Sequence, residues 1–289
     1  MKIINKVVLL FINYFLFSFK TIYVYSKEYI IRNENFPSLR NILNNYQSDN
    51  ELILRFVDSY YNMESLNDFS LEVTLTTNIS LIGNENRTIF DYRKKNKGVF
   101  IFSIDNAHHI KMENIIFENY SCQGFVFGIR MNINSPNFKL TINNCTFRNN
   151  DHSMFIFEFL YSQLVQEKIH VSFNNCSFYK NVGRLIETFH NEEHQYIEIY
   201  NSAVVKINNC NFTDNYGIFY SHNSKFIIEN SYFSGIQRDI NNSVVFYLSQ
   251  SSMNHLIIKN SIFENINVNG PYPLIKSDHI TLEYYYINI

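Results

Sequence analysis

One eight-residue pattern of hydrophobic and polar positions recurs along most of the chain. In the copy LTINNCTF, two apolar residues spaced by one (Leu140 and Ile142) precede two asparagines, and a second apolar pair (Cys145 and Phe147) follows them. Because side chains alternate between the two faces of a strand, one continuous strand would place these pairs on opposite faces. A bend at Asn144 turns both pairs inward, and asparagine tolerates the left-handed backbone that such a bend needs. The pattern therefore predicts two short strands joined by a one-residue corner.

The pattern occurs six times with its asparagine, in copies that begin at Ile110, Leu140, Val171, Val205, Phe226 and Leu256. A degenerate seventh copy, ITLEYYYI, begins at Ile280 and has Tyr284 in place of the asparagine. The ends of successive copies lie 21 to 34 residues apart, and a further apolar stretch follows each of the first six. One period thus contains three short strands. Since every copy has the same direction, the repeats predict an all-β solenoid of parallel strands.

These repeats resemble the right-handed parallel β-helix, the pectin-lyase-like superfold, over about residues 71–289. In that fold each period is one coil, and neighbouring coils lie about 4.8 Å apart. The resemblance implies an asparagine ladder along the solenoid, formed by Asn114, Asn144, Asn175, Asn209, Asn230 and Asn260. It also implies an internal aromatic stack, formed by Phe117, Phe147, Phe178, Phe212, Phe233 and Phe263.

Three of the four cysteines, Cys145, Cys176 and Cys210, share the motif position after the corner asparagine and should stack in neighbouring coils. In-register stacking makes their Cα–Cβ vectors parallel, which is poor geometry for a disulfide, so we expect buried free thiols. A disulfide framework is the alternative in a secreted protein. Cys122 lies outside this row, and no histidine accompanies the three cysteines to indicate zinc.

Residues 1–26 are typical of a signal peptide. Lys2 and Lys6 precede an apolar run of 13 residues that ends at Lys20, which is short of the roughly 20 residues needed to cross a bilayer. Val24 and Ser26 suit the −3 and −1 positions of a cleavage after Ser26. An uncleaved anchor is the alternative. No later segment is long and apolar enough to predict a membrane span.

Residues 27–70 predict an N-terminal cap and entry strands ahead of the β-helix of residues 71–289. The segment FPSLRNILNNY, from Phe36 to Tyr46, places Ser38 before a row of apolar residues. It predicts a short amphipathic helix with a polar N-cap. Because the ends of solenoids need covering, we expect this helix to lie over the first coil.

Composition narrows the classes of partner. The net charge is −2, and removal of a leader with three lysines and no acidic residue would change it to −5. This balance argues against nucleic acid as a partner, and no cofactor is indicated. An extracellular carbohydrate or a surface protein is the expected kind of partner. The final copy of the motif is followed by no polar capping unit, so end-to-end self-association is a further expectation if the chain is not a fragment.

The resemblance also raises polysaccharide cleavage. Pectate lyases of this fold hold calcium with clustered acids, and polygalacturonases use N-T-D, D-D, G-H-G and R-I-K segments, none of which occurs here. The segment DNAHH, from Asp105 to His109, is the best single candidate for metal or acid–base chemistry, and it also suits a polar turn. Asp151, Asp214 and Asp239 are more typical of solvated turns. We therefore expect a secreted or cell-surface solenoid with a binding or structural role, and polysaccharide lyase or glycoside hydrolase activity is the alternative.

Seven N-glycosylation sequons fit a secreted protein. Five are candidate glycosylation sites, at Asn78, Asn86, Asn119, Asn211 and Asn241. The other two, at Asn144 and Asn175, belong to the expected ladder, and we predict that they remain unglycosylated.

Overall fold

Three short strands alternate along the chain and build three sheets. The computed structural model describes residues 26–47, 50–121, 128–160, 168–190, 203–221, 224–237, 246–248, 254–266, 274–277 and 281–287. Within these residues, sheet A contains β1 (Ser26–Ile31), β2 (Glu51–Phe56), β5 (Asn78–Ile82), β8 (His109–Glu113), β11 (Lys139–Asn143), β14 (Ile169–Asn174), β17 (Ala203–Asn208), β20 (Ser224–Glu229), β23 (His255–Lys259) and β26 (Thr281–Tyr285). Sheet B contains β3 (Tyr60–Asn62), β6 (Thr88–Lys95), β9 (Ile115–Tyr120), β12 (Thr146–Arg148), β15 (Ser177–Tyr179), β18 (Asn211–Thr213), β21 (Tyr232–Ser234) and β24 (Ile262–Glu264). Sheet C contains β4 (Ser70–Thr74), β7 (Val99–Ile104), β10 (Ile129–Ile133), β13 (Phe155–Phe159), β16 (Ile186–His190), β19 (Phe219–Ser221), β22 (Phe246–Leu248) and β25 (Ile275–Ser277).

The predicted all-β parallel β-helix is confirmed. Apart from β1, which pairs with β2, each strand pairs in parallel with the strand one coil away, three positions along the strand order, as β11 does with β8 and β14. The backbone hydrogen bonds therefore run along the solenoid, and each coil supplies the partners of the next. The segments ELILRFVD, LEVTLTTNISLIG and GVFIFSI, in which entry strands are expected, contain β2, most of β4 with all of β5, and β7, which belong to sheets A and C. The sheets thus extend to Ser26, well before the expected start of the solenoid at residue 71.

Left-handed backbone conformations mark two corners of each coil. At the first corner, between sheets A and B, φ is 47° to 58° at Asn114, Asn144, Asn175, Asn209, Asn230 and Asn260. The strand–corner–strand prediction is confirmed, because Ile142, Cys145 and Phe147 are all fully buried and Asn144 bends the chain between them. A second corner, which the motif did not predict, lies two residues after the phenylalanine of each sheet B strand from β9 to β24. There φ is 53° to 62° at Asn119, Asn149, Lys180, Asp214, Gly235 and Asn265.

The seventh copy of the motif lies two residues away from its predicted register. β26 pairs Leu282 with Leu256 and Tyr284 with Ile258, so Tyr284 lies in the strand. Tyr286, with φ 53°, takes the corner instead. The prediction that Tyr284 replaces the corner asparagine is therefore wrong. The register is set by the hydrogen-bonded pairing of β26 with β23, and it differs from the register that alignment of the sequence with the motif suggests.

Phenylalanine side chains fill the interior beneath sheet B. The phenylalanine of each strand from β9 to β24 pairs in register with the phenylalanine of the next. Successive ring centroids of six phenylalanines lie 4.5 to 5.1 Å apart, with planes within 15° of parallel, along Phe117, Phe147, Phe178, Phe212, Phe233 and Phe263. This spacing follows the distance between neighbouring parallel strands, about 4.8 Å. Each buried ring contributes about 1.5–3 kcal/mol of hydrophobic stabilisation before conformational entropy is subtracted.

The predicted N-terminal helix is present as α1 (Leu39–Asn45), which a 3₁₀ turn (Phe36–Ser38) precedes. It covers β4, the first strand of sheet C. Asn44 Nδ2 donates to the carbonyl of Glu72 at 3.0 Å, and Gln47 Nε2 donates to that of Thr74 at 3.1 Å. The expected side-chain cap is absent, because Ser38 makes no capping hydrogen bond. The apolar residues that the helix buries are Leu39, Ile42 and Leu43.

Among the described residues no helix is long and apolar enough to cross a membrane, and the predicted signal peptide lies outside them, except for Ser26 at the start of β1.

Candidate functional site: a groove over sheet B

The outer face of sheet B carries a polar groove with a volume of about 470 Å³. It exists because the phenylalanine in each three-residue strand points inward, so the residues on either side of it point outward. Two rows of side chains therefore run along the solenoid. The inner row starts from the first corner and contains Thr146, Ser177 and Asn211, and the outer row contains Arg148, Tyr179 and Thr213.

The outer row is held by hydrogen bonds between coils. Arg148 forms an ion pair through Nε with Glu118 in β9, and its Nη1 donates to the hydroxyl of Tyr179 at 2.9 Å. Thr213 donates its hydroxyl to Asn211 Oδ1 at 2.8 Å, which links the two rows in β18. The charges of Arg148 and Glu118 offset each other, and the tyrosine ring lies beside an arginine with a fixed position.

Arg87 closes one end of the groove from a longer first corner. Between β5 and β6 the chain uses residues 83–87 where later coils use one asparagine. Gly83 is required there, since a Cβ would lie 2.1 Å from the carbonyl oxygen of Asn114. Arg87 has φ 69° and reaches across β9 to β12, where Nη1 donates to Thr146 Oγ1 at 2.7 Å and Nη2 donates to Asn144 Oδ1.

The corner asparagines form hydrogen-bonded pairs. Asn144 Nδ2 donates to Asn114 Oδ1 at 2.6 Å, Asn209 to Asn175 at 2.6 Å, and Asn260 to Asn230 at 3.5 Å. From one pair to the next, the side-chain hydrogen bond involves an asparagine that comes immediately before a corner residue. Asn174 donates to Asn143 at 3.0 Å, and Asn230 donates to Asn208 at 3.0 Å. The six residues therefore share one conformation but do not form one continuous chain of amide bonds.

A second row of asparagines, which the sequence reasoning missed, is fully buried at the turn after sheet B. Asn150 Nδ2 donates to Asn181 Oδ1 at 3.0 Å, and Asn181 Nδ2 donates to Asn215 Oδ1 at 2.9 Å. Each amide nitrogen also donates to the carbonyl of a phenylalanine in the preceding coil, at 2.8 to 3.2 Å. The signal was the asparagine three residues after phenylalanine in FRNN, FYKN and FTDN. It identifies the residues but not their burial.

The three stacked cysteines are buried free thiols, as predicted. The row continues with serine, and each member accepts a backbone hydrogen bond from the coil before it. The N–H of Cys176 donates to Cys210 Sγ at 3.4 Å, that of Cys210 to Ser231 Oγ at 3.2 Å, and that of Ser231 to Ser261 Oγ at 3.2 Å. Burial raises the pKa of the Cys145 thiol to about 12 and that of Cys176 well above its ordinary range. These thiols are therefore structural groups. Cys122 lies outside the described residues.

The candidate acidic and histidine residues do not meet in the groove. Asp105 accepts a bond from Asn134 Nδ2 at 2.6 Å, and Asp151 pairs with Lys94 at 3.0 Å. His109 Nε2 lies 3.0 Å from Thr141 Oγ1 on sheet A, and burial lowers its pKa. Of this set only Asp214 lines the groove, and Asp239 lies outside the described residues. Across the part of the chain that is described, no three His, Cys, Asp or Glu side chains cluster in a way that could hold a metal ion.

The asparagine side chains of the sequons differ in their hydrogen bonds and in their exposure. Asn144 uses both amide atoms in hydrogen bonds, to Asn114 and from Arg87. Asn78 Oδ1 accepts a hydrogen bond from the N–H of His109, and Asn119 Nδ2 donates one to Asp91 Oδ1. The exposed sequon residues are Asn86, Asn175 and Asn211. The sequon at Asn241 lies outside the described residues.

Comparisons with protein-family models, with curated proteins and with solved structures found no match to this chain.

Proposed function

We propose that this protein is a secreted or cell-surface β-helix that binds carbohydrate in the groove over sheet B. The observation that carries the proposal is the chemistry of the two outward rows. The inner row offers the hydroxyl of Ser177 and the amide of Asn211, whereas Thr146 is buried and its hydroxyl accepts from Arg87. The outer row offers Arg148 and the ring of Tyr179. Hydroxyl and amide groups both donate and accept hydrogen bonds, as sugar hydroxyls require. An amphipathic tyrosine ring can cover an apolar sugar face.

The spacing of the coils supports an extended ligand. Rows on neighbouring parallel strands repeat every 4.8 Å or so. An oligosaccharide that lies along the solenoid would meet a similar pair of side chains at each coil from β12 to β18. The groove is open, and hydrogen bonds hold Arg148, Tyr179 and Thr213, so a ligand would meet polar groups with fixed positions.

Secretion and the finer fold assignment belong to the same proposal. The apolar run of 13 residues after Lys6 and the seven sequons support a secretory route. Parallel strands joined by crossovers are right-handed in nearly all proteins, which supports a right-handed, pectin-lyase-like coil. Surface display would place the groove among extracellular saccharides.

Binding to a panel of oligosaccharides tests the proposal. The protein is produced without N-glycans, because Asn211 is a sequon residue that lines the groove. We expect at least one saccharide class to bind, and Tyr179→Ala to weaken binding about tenfold, or about 1.4 kcal/mol. Tyr285→Ala, an exposed tyrosine on sheet A, is the control and should leave binding unchanged.

Two results would count against a carbohydrate-binding groove. One is that no saccharide binds, and the other is that both tyrosine variants have the same effect. The same incubations report on the alternative function, since a polysaccharide lyase or glycoside hydrolase would release shorter products over time.

A further inference from the structure

The guanidinium of Arg87 brings a positive charge to the groove that no described residue neutralises. Its two hydrogen bonds to described residues, to Thr146 Oγ1 at 2.7 Å and to Asn144 Oδ1, are with neutral groups. An arginine has five N–H donors, so three remain available here. Arg148, the other arginine of the groove, is already paired with Glu118.

Further donors without a partner lie in the next coil. Asn175, at the corner beside Asn144, is exposed, and its Oδ1 accepts from Asn209 while its Nδ2 contacts no described acceptor. Ser177 lines the groove one strand beyond Thr146, and its hydroxyl also contacts no described partner. Among the described residues, Asp214 is the acidic residue that lines the groove, and it lies beyond β18 at the opposite corner. Glu118, beside the groove, is paired with Arg148.

We infer that the Arg87 end of the groove binds an oxyanion carried by the saccharide, either a carboxylate or a sulfate ester. The inference rests on the carbohydrate-binding function proposed above and names the class of ligand. A planar guanidinium suits both oxyanions, because its parallel N–H groups match two oxygen atoms at once. The hydroxyl of Ser177 and the amide of Asn175 supply the neutral donors that complete the site.

The sheet B geometry explains why one coil has this feature. The longer corner at residues 83–87 lets an arginine take the place before Thr88 that Asn114 takes before Ile115. The guanidinium can then reach two strands along the solenoid, from β6 to β12.

The test compares three oligosaccharides of equal length that are neutral, carboxylated and sulfated, with binding measured by calorimetry. Wild-type protein should bind one or both acidic forms at least about tenfold more tightly than the neutral form, the effect of one charge-assisted hydrogen bond. This preference should decrease as salt is raised. The carboxylated and sulfated arms distinguish the two sources of the oxyanion.

Two variants locate the charge. Arg87→Gln should remove the preference for acidic ligands, whereas Arg55→Gln, a change at a residue paired with Glu28 on sheet A, should leave the affinities for neutral and acidic ligands unchanged. Because Arg87 also contacts Asn144 and Thr146, its variant could lose the fold, which circular dichroism would reveal. Asn175→Asp is the second variant. It places a negative charge on an exposed side chain beside the site and should weaken acidic ligands alone.

The outcomes separate the two proposals. Equal binding of neutral and acidic saccharides by the wild-type protein overturns the oxyanion site and leaves the carbohydrate groove standing. A preference that both Arg87→Gln and Asn175→Asp retain also overturns it. Binding of no saccharide at all removes the proposed function, and the inference with it.

Discussion

Asparagine at the corners and asparagine in the interior serve different physical purposes. The corner residues mostly use their tolerance of positive φ, and several are exposed, such as Asn209, Asn230 and Asn260. The interior residues Asn150, Asn181 and Asn215 are fully buried, and their amides bond both to the next coil and to backbone carbonyls. A buried amide without partners would cost about 1–3 kcal/mol. The row therefore persists because every coil supplies the partner for the next.

The row of cysteines and serines that follows the first corner is also held by hydrogen bonds between neighbouring coils, with smaller side chains. Sulfur and hydroxyl oxygen both accept the backbone N–H of the preceding coil, so cysteine and serine are interchangeable in geometry. Ser231 and Ser261 also donate to the carbonyls of Glu229 and Lys259 at 2.8 and 2.9 Å. Cysteine differs from serine mainly because it can ionise.

That difference predicts a pH dependence. The pKa of Cys145 is raised by burial from its ordinary value of 9.0 to about 12. Its contribution to stability is therefore complete below pH 9 and is lost as the pH rises toward 12, because only the unfolded chain then releases the proton. Between pH 8 and pH 10.5 the free energy of unfolding should fall by about 2 kcal/mol more in the wild type than in Cys145→Ser. Urea unfolding at the two pH values measures this, and an equal decrease in both proteins would contradict it.

At the scale of elements, α1 packs on β4 and covers the edge of sheet C. The helix supplies side-chain amides to the carbonyls of Glu72 and Thr74 on the edge of sheet C. Arg40 adds ion pairs with Asp68 at 3.1 Å and Glu72 at 3.7 Å, both partly exposed and so of small value. An uncovered edge strand is a template for pairing with another chain. The helix therefore protects sheet C from self-association.

Displacing the helix tests this role. Leu43 is fully buried, and Leu43→Asp would place a carboxylate in that apolar contact at a cost of several kcal/mol. We expect the variant to form larger species than the wild type in light scattering, and the amides of β4 to exchange faster. Asn41→Asp, on the exposed side of the same helix, is the control and should resemble the wild type. Unchanged size and unchanged protection of β4 in Leu43→Asp would argue against the capping role.

At the scale of the whole molecule, coil stacking decides which sequons remain accessible. Asn144 is one residue of a network that joins three coils, from Arg87 through Asn144 to Asn114. Asn86 is exposed in the longer corner nearby. The expected ladder also placed Asn175 among the inaccessible residues, but its Nδ2 is exposed and without a described partner. Of the two ladder sequons, the physical reason for protection therefore applies to Asn144 and not to Asn175.

Expression in a eukaryotic secretory pathway should show this difference. We expect glycopeptide mass spectrometry to find glycan on Asn86 and none on Asn144, because folding buries the amide of Asn144 in hydrogen bonds. Asn86→Gln is the control and should reduce the mass of the protein by one glycan. Glycan on Asn144 in folded protein would show that the network of Arg87, Asn144 and Asn114 does not form.

Much of the coil follows from the sequence alone. Because side chains alternate along a strand, the two apolar pairs of LTINNCTF can both face inward only if the chain bends between Ile142 and Cys145. Asparagine readily adopts the backbone conformation of such a bend, so the strands and their inward residues could be predicted from the local sequence. The short N-terminal helix was predictable for a similar reason, since its apolar residues recur at helical spacing. Both signals are local, and the physical rule behind each concerns neighbouring side chains.

In the six copies that contain asparagine, the motif already indicates which residues pair between coils. Beyond those copies pairing was decided only by the tertiary structure, because the period varies from 21 to 34 residues and fixes no partner by itself. This is why Tyr286, rather than Tyr284, takes the last corner. For the same reason, the repeated asparagine three residues after phenylalanine did not show that these asparagines form a buried row. Nor could the sequence show that Arg87 contacts Thr146, which lies 59 residues later. The groove is built from outward residues of separate coils, so it exists only once those coils are stacked.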